Sequence, residues 1–253
     1  MSTRIVCLLV LLTVTLAALP AVAQEEEADS FVYATYFYCD VARQERADEI
    51  VKATGAPVFD AAVEDGTITA WGWMSHHTGG KWRRIRYHVA PSISQLLEAL
   101  ESLNGEVAKE HAVAQNEFSQ ICNAHDDYIW QQRLSSGGLA GDGRGPAGFS
   151  VYYVCKMSKE SRADEIMEET LAPLLSAQIE AGNLTSWGWS SHVVGGKYRR
   201  LATYTAPTFD KLIAGRSAVI AGLMGEHTEA ADEFNSICSS HQDYMWNIEL
   251  EKP

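Results

Sequence analysis

The sequence points to an α+β protein made of two copies of one unit, each ordered strand, helix, strand, strand, helix, strand. Three observations carry this. The stretch Trp71-Gly-Trp-Met-Ser-His76-His-Thr-Gly79-Gly80-Lys81-Trp82-Arg83-Arg84 returns as Trp187-Gly-Trp-Ser-Ser-His192-Val-Val-Gly195-Gly196-Lys197-Tyr198-Arg199-Arg200. A shift of 116 positions aligns Tyr36 to Trp130 with Tyr152 to Trp246 without a gap, and 38 of those 95 positions are identical, too many for chance. Cys39, Cys122, Cys155 and Cys238 fall at equivalent places in the two copies.

In chain order, residues 1–23 read as a secretory signal peptide, with Arg4 as the positive start, an apolar run from Ile5 to Leu19, and Ala21-Val-Ala23 before the cleavage point. The run is short for a membrane span, and no other window approaches the ~18 apolar residues a spanning helix needs. The acidic leader 24–30 precedes the first repeat, 31–132. Phe31 to Cys39 is rich in Tyr, Phe, Val and Thr and reads as a strand. Arg43 to Glu64 reads as helix, divided at Pro57, because proline lacks the amide hydrogen and crowds the preceding turn. Gly66 ends it, Thr67 to His76 forms a second strand, Thr78-Gly79-Gly80 turns, and Lys81 to Val89 returns antiparallel as a third. Ser92 to Ile121 is helical, with a break expected at Asn104-Gly105, and Asp127 to Gln131 is a short closing strand. The Gly/Ser-rich stretch 133–148 reads as a linker, and 149–250 repeats the pattern.

Cleavage after Ala23 removes Arg4 and Cys7, leaving 19 basic residues against 33 acidic and a net charge of −14. That balance argues against nucleic acid and against anionic membrane surfaces as partners. The expectation is a secreted or periplasmic protein, monomeric, with a small-molecule ligand and no membrane contact after cleavage. Four cysteines allow three pairings, and the one that respects the repeat joins Cys39 to Cys122 and Cys155 to Cys238, as an oxidising compartment favours.

The element order is that of the ferredoxin-like unit, in which the end of the first strand lies beside the start of the fourth, where Cys39 and Cys122 sit. Two tandem ferredoxin-like repeats (βαββαβ) would each leave one sheet face open, and apolar residues on both faces favour packing the open faces together. The helix-to-strand run Pro57 to Trp73 with its Gly66, and the His76 to Gly80 hairpin, resemble the dimeric α+β barrel superfamily. That superfamily includes antibiotic-biosynthesis-type monooxygenases, haem-degrading monooxygenases and chlorite-dismutase-like proteins. The resemblance spans both repeats. It implies an intrachain pseudo-dimeric α+β barrel with a cavity between sheet and helices.

His76 and His192 close the second strand of each copy beside a Gly-Gly turn. A neutral imidazole there could serve as a general base or an axial ligand, or could simply fix the hairpin. Strand alternation puts Trp71, Trp73 and Ser75 on one face, so these tryptophans, with Trp187 and Trp189, either stack a flat ligand inside the barrel or form core against the helices. Tyr36 and Tyr152 pose the same question. Lys81, Arg83 and Arg84, with Lys197, Arg199 and Arg200, could hold an anionic group or pair with nearby carboxylates. Glu110, His111, Glu117, His125 and Asp127 recur in the second copy but lack a compact metal-ligand spacing, and no metal site is expected. The leading expectation is a non-catalytic barrel binding a small apolar or anionic ligand, with the histidines and basic residues at the cavity mouth. The alternative is an oxidoreductase, cofactor-independent or haem-binding, using His76 or His192.

Overall fold

A computed structural model describes residues 30–137 and 144–253. The signal-peptide reading of 1–23, most of the acidic leader and the middle of the expected linker lie outside the described residues. Eight strands close into one antiparallel barrel in the order β1-β3-β2-β8-β5-β7-β6-β4. They are β1 (Phe31–Tyr38), β2 (Ala70–Gly79), β3 (Arg84–Ala90), β4 (Ala124–Gly137), β5 (Ala147–Val154), β6 (Ser186–Val194), β7 (Arg200–Ala206) and β8 (Ser240–Lys252). A step of four strands round the barrel carries each strand onto its counterpart in the other repeat, so the internal two-fold runs along the barrel axis.

The strand pattern explains the closure. On β2, Trp71 and Trp73 join the apolar layer beneath the helices, while Met74 faces the barrel interior. On β1, Ala34 and Tyr36 point inward and Phe37 points to the helices. Each sheet is therefore apolar on both faces, and the two interior faces bury each other.

Closure depends on long closing strands. β4 was expected over Asp127 to Gln131 and β5 after residue 148, yet β4 runs from Ala124 to Gly137 and β5 starts at Ala147. The distal part of β4 pairs with β6 of the other repeat, from Gln131↔Ser191 to Gly137↔Ser186, and β8 does the same with β2. Local Gly/Ser composition could not reveal this pairing, because its hydrogen-bond partners lie some 50 residues downstream.

The helices on the outer face depart from expectation in two places. Pro57 does not divide the first helix. α1 (Gln44–Ile50) continues through a π turn, Val51–Gly55, into α2 (Ala56–Glu64), and Pro57 falls in the first turn of α2, where its missing amide hydrogen matters least. The second repeat does the same with α5 (Glu160–Ile166), a π turn at Met167–Leu171, and Pro173 in α6 (Ala172–Glu180). Nor does Asn104-Gly105 break the next helix. α3 (Ile93–Glu110) runs through it and ends at His111, before α4 (Ala112–Ile121), just as α7 (Phe209–Glu226) ends at His227 before α8 (Thr228–Ile237). Gly105 is exposed and costs about 1 kcal/mol, less than burial of the flanking Leu103 and Val107 returns. Ser92 and Thr208 cap α3 and α7 by accepting the amide hydrogens of Gln95 and Lys211.

The disulfides Cys39–Cys122 and Cys155–Cys238 form as the repeat required, each closing a separation of 83 residues where the first strand of the repeat ends beside the start of the last.

Candidate functional site

The barrel interior divides into a filled end and an open end. The filled end lies under the β2–β3 and β6–β7 hairpins. Trp82 stacks on Tyr36 at 4.2 Å and on Tyr244 at 5.2 Å, and Tyr128 and Tyr244 stack on Trp130 and Trp246, each at 5.0 Å. Several polar atoms at this end are satisfied locally. Trp82 Nε1 donates to Asp126 at 2.8 Å, Tyr38 donates to the same carboxylate at 2.7 Å, and Tyr198 bonds Gln242. Gly79 and Gly195, with φ of 129° and 138°, let the hairpins fold directly onto Tyr244 and Tyr128, where a Cβ would approach to 2.9 and 2.4 Å.

His76 and His192 belong to this filled end. Each packs edge-on against a stacked pair, His76 at 6.3 and 6.1 Å from Tyr244 and Trp246, His192 at 6.1 Å from both Tyr128 and Trp130. Arg199 donates to His192 Nδ1 at 2.8 Å, which leaves the proton on Nε2. Nε2 of both histidines is buried without a hydrogen-bond partner among the described residues. Burial, then the neighbouring Arg83 or Arg199, lowers both pKa values, so both rings are neutral at pH 7.

Below the floor formed by Tyr36, Tyr152, Trp130 and Trp246 lies a cavity of about 600 Å³ that opens where β1 and β5 begin. The Tyr36 and Tyr152 rings meet edge to face at 5.5 Å, and burial raises both phenol pKa values. Trp130 Nε1 donates to the Tyr36 hydroxyl at 3.2 Å, whereas Tyr152 bonds Tyr36 and Ser150, and Trp246 Nε1 is buried without an acceptor among the described residues.

The two repeats contribute unlike walls. Val32 and Ala34 of β1 face Gly148 and Ser150 of β5; Met74 of β2 corresponds to Ser190 of β6; Tyr87 and Val89 of β3 correspond to Thr203 and Thr205 of β7. Tyr87 lies across Gly72, where a Cβ would clash with its ring at 2.4 Å, while Thr203 leaves its side of the barrel roomier. At the mouth, Arg144 pairs with Glu251 at 3.0 Å, and the Tyr87 hydroxyl donates to the same carboxylate. Desolvation pushes the Tyr87 phenol far above its usual range.

The expected site residues fall elsewhere. The cavity is inside the barrel, not between sheet and helices, because large side chains fill the latter space. Trp71, Trp73 and Trp189 are core there, donating from Nε1 to Asp60, Asp48 and Asp164 at 2.8 Å each. Trp187 borders the cavity but sends Nε1 to Ser176 at 3.2 Å on the helix side. The basic clusters are at the hairpin end, opposite the mouth, and are held by carboxylates of α1 and α5. Arg84 makes a two-pronged pair with Asp48, Arg200 pairs with Asp164 and Glu160, Arg199 pairs with Glu160, and Arg83 bonds Gln44. Lys81 and Lys197 are exposed, with Lys197 Nζ 5.2 Å from the Tyr198 ring. Among the described residues no His, Cys, Asp and Glu cluster could hold a metal ion. Glu117 and Glu233 bind Arg46 and Arg162, and His125 and His241 pair with Asp127 and Asp243. The side chains of the cavity wall carry no motif of their own; their signal in the sequence lies in the inward positions where the copies differ.

No protein-family profile matches the chain, and no curated protein matches it. Solved structures do. An anthrone oxidase-like protein is 12% identical, with 90% of this chain and 94% of that one covered and a TM-score of 0.56. A monooxygenase-like protein from Lactobacillus acidophilus is 6% identical, with 88% and 95% covered and a TM-score of 0.59. A chlorite dismutase variant from Candidatus Nitrospira defluvii is 8% identical, with 88% and 92% covered and a TM-score of 0.54. The chain has the dimeric α+β barrel fold, with both halves supplied by one polypeptide.

Proposed function

We propose that this chain is a small-molecule-binding barrel protein whose ligand occupies the open-end cavity. The observation that carries the reading is the cavity of about 600 Å³, floored by aromatic rings and walled by two unlike repeats. Its volume lies in the usual range for small-molecule sites, and its lining combines an apolar majority with hydroxyl and amide side chains. Arg84 and Arg200 are neutralised by carboxylates and lie at the far end, which favours an apolar ligand over the anionic one. The two disulfides support work in an oxidising, exported setting.

The structural neighbours favour a second reading, an oxidoreductase acting on the same ligand. In that reading His76 and His192 have no direct part, since the aromatic floor separates them from the cavity. The donor set does not fit haem. Among the described residues the cavity lining holds no histidine or cysteine, and the phenols of Tyr36, Tyr87 and Tyr152 are held in hydrogen bonds with their pKa values raised.

N-phenyl-1-naphthylamine, an uncharged dye that brightens in apolar sites, tests the reading. The native protein should bind it, and Gly148→Leu, which projects a side chain into the cavity from β5, should abolish binding while leaving the fold intact. Equal binding by this variant would place the dye elsewhere and refute the assignment. Oxygen uptake on adding a compound that displaces the dye would favour the oxidoreductase.

A further inference from the structure

The cavity walls say more than that something binds. This inference rests on the binding reading above and concerns the chemistry and orientation of the ligand. We infer that the cavity takes an uncharged molecule with hydroxyl or carbonyl oxygens along one edge and hydrocarbon along the other, held in one orientation despite the two-fold of the barrel.

Three features of the cavity point this way. The first is charge. Of the charged side chains bordering the cavity, Arg144 pairs with Glu251 at 3.0 Å and keeps Nε buried without a partner among the described residues, and Arg133 is exposed and bonds Gln131. Among the described residues no side chain of the wall offers an unpaired charge to replace the hydration an ionic ligand would lose on entry, and an unpaired buried charge is costly. The second is hydrogen bonding. Ser190 and Thr203 make no side-chain hydrogen bond within the described residues and border the cavity, so their hydroxyls are open to a ligand. Ser150 on β5 lies directly across from Thr203 and bonds Tyr152. The third is asymmetry. The equivalent positions on the opposite wall are Met74, Tyr87 and Ala34, and only the Tyr87 hydroxyl is polar there, already donated to Glu251. A ligand turned by half a revolution would set its oxygens against hydrocarbon and leave Ser190 and Thr203 facing its apolar edge, so the two-fold is broken in favour of one pose.

The test is displacement of N-phenyl-1-naphthylamine at pH 7 by decan-1-ol, decanoate and decylammonium, each below its micellar concentration. The three share a chain and differ in head group. Decan-1-ol should displace the dye at a concentration at least about 10-fold lower than either ion. Either ion matching or surpassing the alcohol overturns the inference. In a second arm, Ser190→Ala with Thr203→Val should weaken decan-1-ol several-fold more than it weakens the dye. Undiminished alcohol binding in the Ser190/Thr203 variant also overturns it. If the dye fails to bind the native protein, or Gly148→Leu does not exclude it, the binding reading falls first and this inference with it; a dye that binds in the cavity but ignores head-group charge sinks this inference alone.

Discussion

The hairpin end and the mouth end of the barrel use the internal repeat in opposite ways. At the hairpin end the copies keep the same inward residues, His76 with His192, Tyr128 with Tyr244, and Trp82 with the aromatic Tyr198, and these rings fill the barrel. At the mouth end the copies diverge from hydrocarbon to hydroxyl, and the barrel is hollow. A closed barrel needs rigid packing at one level to hold its register, and identical halves supply it. A ligand without two-fold symmetry needs unlike walls, which divergence supplies. Residues alike in both copies therefore mark structure here, and those that differ mark the site.

The contrast can be broken most severely at the filled end. Trp82→Ala removes a ring stacked on both Tyr36 and Tyr244 and should cost about 3 to 5 kcal/mol in urea unfolding, while Trp82→Tyr, the residue of the other copy, should cost far less. The basic clusters come next. Among the described residues Arg84 has only Asp48 for a carboxylate, whereas Arg200 has Asp164 and Glu160. Asp48→Ala leaves a buried guanidinium with only neutral acceptors and should cost about 3 kcal/mol, and Asp164→Ala should cost clearly less. Equal losses would contradict the pairing.

A pH scan separates the halves further. His88 is buried, its Nε2 bonded to the Leu96 carbonyl at 3.0 Å, and burial lowers its pKa to about 4; the second copy has Tyr204 at this place. The unfolded chain binds a proton near pH 6.5 that the folded chain refuses until about pH 4. This contribution is fully present above pH 6.5 and is lost as pH falls towards 4, by about 3 kcal/mol in all. His88→Tyr should flatten the stability of the protein between pH 6.5 and 5 relative to the native chain, and an unchanged slope would show that His88 is protonated when folded. The smallest effect belongs to the cavity floor. Ser150→Ala makes the copies alike at that position and frees the Tyr152 hydroxyl to accept from Trp246 Nε1, so unfolding stability should move by less than about 1 kcal/mol while tryptophan emission shifts.

Much of the fold was legible because its determinants are local or repeated. The gapless repeat gave the two units, paired cysteines gave the bridges, and Trp71-Gly-Trp73 carried the alternation that seals sheet to helix. Errors arose where distant partners decide. Residues 133–137 look like linker until β6 supplies their hydrogen bonds, and Pro57 looks like a break until a π turn moves it into a first helical turn. The site was the least legible. Arg83, Arg84, His76 and their counterparts stand out as a motif because they carry charge and recur, yet their partners Asp48, Glu160 and the stacked rings meet them only on folding. Thr203 lies in no motif, and Ser190 sits in the repeated stretch only where Met74 stands in the other copy; their meaning comes from facing a hollow, which no local pattern records.

The most direct measurement is the crystal structure of the protein with decan-1-ol. The account predicts one molecule per chain inside the open end, with its hydroxyl beside Ser190 and Thr203 and its tail along Val32 and Ala34. A molecule bound at the hairpin end, or density averaged over two poses related by the barrel two-fold, would contradict it.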